Sequence, residues 1–202
     1  MIKAFLLTRQ SFDTSTGVQL VFWFHSEAGP LKVIVNGQQL VFFIRQQDMA
    51  LSKELLIRFP GIAIKPLELK NFENEAMAGV YFKSQQQFYR GRDILQQNNI
   101  RCLEADVRAA ERYLTERFLT GPVSIHLDEL ADEPAAVLVN PRITPDDYRP
   151  DFKLMSFDIE TDYATDDLFS IAFVSKEHKR VLMIGENVPA LDENMDEDAA
   201  EV

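Results

Sequence analysis

From Ile2 to Ile44 the chain alternates aromatic and β-branched runs with turn-forming residues, and that punctuation confines its start to short antiparallel strands. The runs are Ile2–Leu7, Val18–Phe24, Leu31–Val35 and Leu40–Ile44. The turn signals between them are Ser15–Gly17, Ala28–Pro30 and Asn36–Gly37, which predict three hairpin connections. Asp48–Phe59 spaces Met49, Leu51, Leu55 and Leu56 as a short helix with Asp48 placed to cap it.

Two further strands, Ile62–Leu69 and Ala78–Lys83, precede a polar helix over Gln85–Asn98 whose Phe88, Ile94 and Leu95 share one side. Ile100–Glu104 reads as a short strand. Ala109–Leu119 reads as an amphipathic helix closed by Gly121-Pro122, and Val123–Leu127 and Ala136–Val139 resume the β pattern. Pro141–Pro150 holds three prolines and the pair Asp146-Asp147, a composition expected of an exposed connection, so a domain boundary is placed at residue 150. Beyond it, Lys153–Thr161, Leu168–Ser175 and Arg180–Ile184 form a meander. The fold class is therefore α+β: a mostly antiparallel domain with two or three helices over 1–150, a three-stranded meander over 151–187, and an acidic tail over 188–202 expected to be disordered.

Composition narrows the functional classes. With 202 residues, 46% hydrophobic and 26% charged, the chain has the profile of a folded globular protein. No apolar run approaches the ~20 residues of a membrane span, and the start lacks a secretory signal, so no membrane partner is expected. The one cysteine, Cys102, and three scattered histidines offer no disulfide and no zinc spacing; a reducing, cytoplasmic setting is expected, with Cys102 a small buried hydrophobe. The net charge of −11 argues against a phosphate-binding chain. Seven of the acids, however, fall between Glu186 and Glu201, leaving −4 on the first 184 residues.

The peptide Leu154-Met155-Ser156-Phe157-Asp158-Ile159-Glu160-Thr161 carries the chemistry. Side chains alternate along a strand, so Asp158 and Glu160 project to one face while Met155, Phe157 and Ile159 project to the other. Two carboxylates about 7 Å apart on one strand repel each other, and a hard, oxygen-seeking cation such as Mg²⁺ or Mn²⁺ between them relieves that repulsion. The bland reading is a solvated strand face. Asp158 lies inside a markedly apolar segment, however, and this favours a functional pair.

Ser156-Phe157-Asp158-Ile159-Glu160-Thr161, with DYRPDFK ahead of it and EADVRAAERYLTERFLTGPV further upstream, resembles the first exonuclease motif and the preceding stretch of family B DNA polymerases of bacteria. FLLTR near the start, Gly29–Leu31 and Pro66–Phe72 resemble the opening domain of the same family, and the resemblance covers nearly all of residues 1–187. It implies a DNA polymerase with a 3′-to-5′ proofreading exonuclease, acting in replication and repair, whose ribonuclease-H-like fold opens with a three-stranded meander. It also implies DNA as partner, both template and single-stranded 3′ end, and a two-metal site in which Mg²⁺ or Mn²⁺ activates a water and stabilises the leaving oxygen. Asp158 would be the shared metal ligand. Glu160 would hold one metal and orient the water.

The family's further ligands come from N-x-x-x-F-D and Y-x-x-x-D motifs. The first does not occur after Glu160; Tyr163–Asp167 spells the second but follows the strand so closely that it reads as a hairpin loop. The paired aspartates of the polymerase palm are absent too. The expectation is an amino-terminal fragment with neither activity by itself, whose uncovered apolar side (Met155, Phe157, Ile159, Phe169, Ile171, Phe173) packs on residues 1–140 or on a second copy.

A competing reading is a non-catalytic module that binds single-stranded DNA or another protein. Lys83, Arg90, Arg92, Arg101, Arg108, Arg112 and Arg117 are interspersed with Phe88, Tyr89 and Tyr113. Five acids interleave with those seven bases, leaving +2, so the stretch reads first as a charge-paired surface.

Overall fold

In the computed structural model, residues 1–127 and 136–185 are described, and they fall into two compact units that divide at Pro150. The acidic tail lies outside the described residues.

The first unit contains two sheets. β1 (Ile2–Thr14), β2 (Gly17–Ser26) and β3 (Gly29–Gln38) form the centre of a six-stranded sheet, with β7 (Pro122–His126) and β9 (Arg142–Pro145) beyond β1 and β8 (Val137–Val139) beyond β3. All its pairings are antiparallel except β3 with β8. The second sheet has the order β4 (Leu40–Arg45), β6 (Ala76–Phe82), β5 (Ala63–Lys70). Three helices complete the unit: α1 (Met49–Leu55), α2 (Gln85–Gln97) and α3 (Ala109–Thr115). One hydrophobic core runs through it. Leu20, Phe22, Phe24 and Val33 from the large sheet join Phe42, Ile44, Val80 and Phe82 from the small one, with Phe88 and Leu95 from α2 and Tyr113 from α3.

β1 runs seven residues past the predicted Leu7, and the reason is its open edge. β7 pairs only with Ile2–Phe5, so Thr8–Thr14 has β2 on one side alone and its polar side chains meet solvent. Asn36-Gly37 is the clearest departure from expectation, because it makes no hairpin. Val18 faces Gln38 and Leu20 faces Val35, so two residues of β3 oppose the single Gln19, which is a β-bulge. Gly37 sits at φ +69°, Gln19 Nε2 donates to Asn36 Oδ1 at 2.8 Å, and the Asn36 N–H donates to Asn140 Oδ1 at 2.8 Å. The chain then leaves the large sheet, and β4 starts the small one.

Other differences are local. Asp48 caps nothing with its side chain; it pairs with Arg45 at 2.9 Å. Ile100–Glu104 forms only one bridge, with Leu103 and Phe43 exchanging backbone bonds of 2.8 and 3.0 Å. The predicted connection 141–150 contains β9, which completes the sheet edge beside β7. α2 begins as expected of its sequence, with Ser84 Oγ accepting from the Gln87 N–H at 3.2 Å.

α3 ends before Gly121-Pro122. The Leu119 N–H reaches Leu114 O at 2.9 Å and the Phe118 N–H reaches Thr115 O at 3.1 Å, a Schellman closure with Phe118 in the left-handed position at φ +54° and 83% exposed. A bulky residue is disfavoured there. Phe118→Gly is expected to raise stability by roughly 0.5–1 kcal/mol in urea unfolding; a loss would show that the ring holds a contact worth more than its strain.

The second unit is the meander β10 (Met155–Thr161), β11 (Leu168–Ser175), β12 (Lys179–Met183), antiparallel throughout.

Candidate functional site

The register of the meander fixes what each face carries. Asp158 stands opposite Ala172 and Glu160 opposite Ser170, while Phe157 faces Phe173 and Ile159 faces Ile171. Directly opposed residues share a face, so Asp158 and Glu160 project together beside two small side chains, with Val181 and Met183 on the next strand beyond them. Met155, Phe157, Ile159, Ile171 and Phe173 take the other face, as the alternation predicts. β10 is exposed along its length, and Phe157 is 66% accessible within a face that no described element of its unit covers.

Asp158 is held locally, its Oδ1 accepting from the Ile159 N–H at 3.0 Å. Among the described residues no ion pair engages Asp158 or Glu160. Nor does any group of three or more His, Cys, Asp or Glu converge there to hold a metal. The donor chemistry nevertheless suits a hard divalent cation: two carboxylates on one face, with only Ala172 and Ser170 beside them to obstruct approach, and water to complete the shell.

Tyr163–Asp167 is the hairpin loop between β10 and β11. Asp162 Oδ1 accepts from the Ala164 and Thr165 N–H groups at 2.7 and 3.0 Å, and those bonds hold its carboxyl below the usual range. Asp166 adopts φ +59°, and Asp167 Oδ2 accepts from Thr165 Oγ1 at 2.7 Å. These contacts build a turn.

Of the three aromatics in the basic stretch of the first unit, Tyr89 alone is exposed, at 36%, with the Arg92 guanidinium 5.1 Å from its ring centre. Phe88 is 1% and Tyr113 8% exposed, so both belong to the core. Arg92 pairs with Asp93 at 2.8 Å, Arg101 with Glu73 at 3.0 Å and Arg112 with Glu104 at 3.0 Å, and the Arg117 guanidinium lies 3.9 Å from the centre of the Tyr113 ring. Helical spacing accounts for Arg112 with Glu116 at 3.6 Å, an i,i+4 pair, but not for these three, and Glu111 pairs with Arg9 on β1 instead. Cys102 is half-buried, and burial pushes its thiol up to about 11 against the opposing influence of Arg92, which keeps it protonated and unreactive.

One feature escaped the sequence reading. A cleft of about 510 Å³ opens beside the β5–β6 loop, lined by Phe43, Leu69, Phe72, Met77, Arg101 and Leu103. The loop is tied by its own hydrogen bonds: Asn71 Oδ1 accepts from the Glu73 and Glu75 N–H groups at 3.1 and 2.8 Å, leaving the Phe72 ring fully in solvent. The Asn71…Asn74 spacing was the available signal, since both are turn residues and Asn74 takes φ +65°.

Comparison with known proteins bears on the first 100 residues most directly. Residues 4–39 match the family described as DNA polymerase II, N-terminal, and residues 40–100 match DNA polymerase II, insertion domain. The junction at 39/40 coincides with the passage from the large sheet to the small one. DNA polymerase II of Escherichia coli (strain K12) is 37% identical over 158 residues, 78% of this chain and 20% of that protein. The chain thus spans about a fifth of the length of the curated relative it matches. The structure of the family B DNA polymerase from the hyperthermophilic archaeon Pyrobaculum calidifontis superposes with a TM-score of 0.68 at 15% identity, covering 91% of this chain and 27% of that one, and this likeness speaks for the fold.

Proposed function

The chain corresponds to the amino-terminal portion of a family B DNA polymerase similar to DNA polymerase II, and from that premise we propose that it forms the first two units of a DNA-synthesising enzyme whose second unit opens a 3′-to-5′ proofreading exonuclease. The observation that carries the exonuclease reading is the shared face of Asp158 and Glu160, uncovered, unpaired among the described residues and flanked by small side chains. DNA is the partner, template and single-stranded 3′ end alike. Mg²⁺ or Mn²⁺ bound there would supply Lewis-acid stabilisation of the oxyanion that leaves phosphorus. Asp158 and Glu160 are the residues that would hold it, with Glu160 also accepting a hydrogen bond from the attacking water and so orienting it. Two carboxylates are fewer than such a site requires, so excision depends on ligands besides these two, and this chain alone is inactive as nuclease and polymerase. The single half-buried Cys102 suits a reducing cytoplasmic setting. The uncovered apolar side of the meander fits further elements of the exonuclease fold or, in the isolated chain, a second copy.

Manganese is the direct probe. In the ¹⁵N-labelled 202-residue chain, millimolar Mn²⁺ should broaden the amide signals of Asp158–Glu160 and Ser170–Ala172 first, and Asp158→Asn should abolish that localisation. Broadening centred on the acidic tail, with the meander untouched, would defeat the reading.

A further inference from the structure

Phe72 is an apolar ring that the fold holds out in water. Asn71 ties the turn beneath it with more than its Oδ1: its Nδ2 donates to Glu73 Oε2 at 2.9 Å and to Glu75 Oε2 at 2.7 Å, and its carbonyl accepts the Asn74 N–H at 3.0 Å. Lys70 Nζ donates to Asn74 Oδ1 at 2.9 Å, and Arg101 pairs with Glu73 across the mouth of the cleft. With its ends so bonded, the turn keeps the ring at the edge of the cleft and off the apolar lining of Phe43, Met77 and Leu103. Leu69, 57% exposed, stands beside it.

A protruding ring next to an apolar cleft is a self-complementary surface. A two-fold axis at the mouth sets the Phe72 of each copy in the cleft of the other, and burial of both rings favours the pair. Charge permits it. Lys70 and Arg101 on the rim are matched in number by Glu73 and Glu104, so the patch is neutral on a chain whose net charge is −11, and a mixed rim offers each charge an opposite one across the axis. The acidic surplus elsewhere opposes contact between copies. A phosphate backbone, which needs an excess of bases, finds none here.

Area sets the strength. Each aromatic ring brings about 150–250 Å² to a contact. Two rings, two leucines and the walls they cover come to about 1,000 Å², the lower limit of specific interfaces, where complexes are transient. We propose that the Phe72 turn and its cleft are a self-association surface through which two copies of the first unit pair weakly about a two-fold axis, the ring of one filling the cleft of the other.

Dilution of the ¹⁵N-labelled 202-residue chain tests this. Between about 1 mM and about 20 µM the amide signals of 69–77 and 101–104 should move along one binding curve, and the sedimentation coefficient should fall from dimer toward monomer over the same range. Phe72→Ala should weaken the association about tenfold or more, and Phe72→Asp should abolish it. Phe157→Asp, which alters the apolar side of the meander, should leave the shifts at 69–77 in place. A chain that stays monomeric at about 1 mM overturns the proposal. So does association that survives Phe72→Asp and is lost in Phe157→Asp, which assigns the contact to the meander. Shifts at 69–77 and 101–104 that appear only on adding N-acetylphenylalaninamide, and never with chain concentration, also overturn it and make the occupant a foreign apolar segment.

Discussion

Phe88→Ala is expected to lower the unfolding free energy of the first unit by about 3–5 kcal/mol. Phe88 is 1% exposed and sits where α2 meets the small sheet, its ring centre 5.3 Å from that of Phe42 and 5.7 Å from that of Phe82, both contacts edge-on. Phe42 and Phe82 are themselves 5.2 Å apart. Truncating the ring removes two aromatic contacts to the small sheet at once, and neither neighbour can fill the void because each is fixed in a strand. A domain of this size has about 5–15 kcal/mol in total, so the loss is a large share of it. With urea slopes of about 1–3 kcal/mol/M, the midpoint should fall by more than about 1 M. Tyr89→Ala, at a position 36% exposed on the outer side of the same helix, should cost far less. A loss below about 1 kcal/mol for Phe88→Ala would mean that α2 is not docked on Phe42 and Phe82 as described.

The fold was legible wherever periodicity and burial agree. The β2 alternation buries Leu20, Phe22 and Phe24, and α2 places Phe88 and Leu95 on one side, because a two-residue and a 3.6-residue repeat leave distinct marks. It was illegible where pairing is decided by strands far away in sequence. Asn36-Gly37 has the composition of a hairpin turn, but whether such a pair turns or bulges depends on Gln19 across the ladder and on Asn140 a hundred residues later. Ile100–Glu104 has strand propensity and one strand position to bond, Phe43, so it gains a bridge and no more. β9 hides among prolines because an edge strand needs only one row of backbone bonds, which it takes from β7.

The candidate site follows the same division. The common face of Asp158 and Glu160 is a local property of one strand, and the sequence shows it; their small neighbours Ala172 and Ser170 depend on the β10–β11 register. Aromatics among arginines look alike on a groove and in a core. Phe88 and Tyr113 turned out to be core because the other face of each helix carries the charge pairs. Phe72, exposed on its turn, belongs to no periodic face, and only the turn residues Asn71 and Asn74 mark its loop in the sequence.

On the proposed exonuclease reading, the largest functional effect is expected at Asp158. In a polymerase that contains this chain together with the rest of its exonuclease, Asp158→Ala should lower excision of a single-stranded 3′ end by about 10²–10³-fold while primer extension stays near its original rate. The magnitude follows from the several kcal/mol that a metal contributes to the developing charge at phosphorus, at 1.36 kcal/mol per decade. A side chain exposed on an uncovered strand contributes little to folding, so the loss should not be accompanied by a change in melting temperature. Glu160→Ala should behave alike, and the double variant should be little worse than either single one, since the two residues act on one bound group. Val181→Ala, on the same face two strands away, should leave excision intact. Excision that survives Asp158→Ala within tenfold would show that the two carboxylates are only a solvated strand face, and the assignment of chemistry to β10 would fall with it.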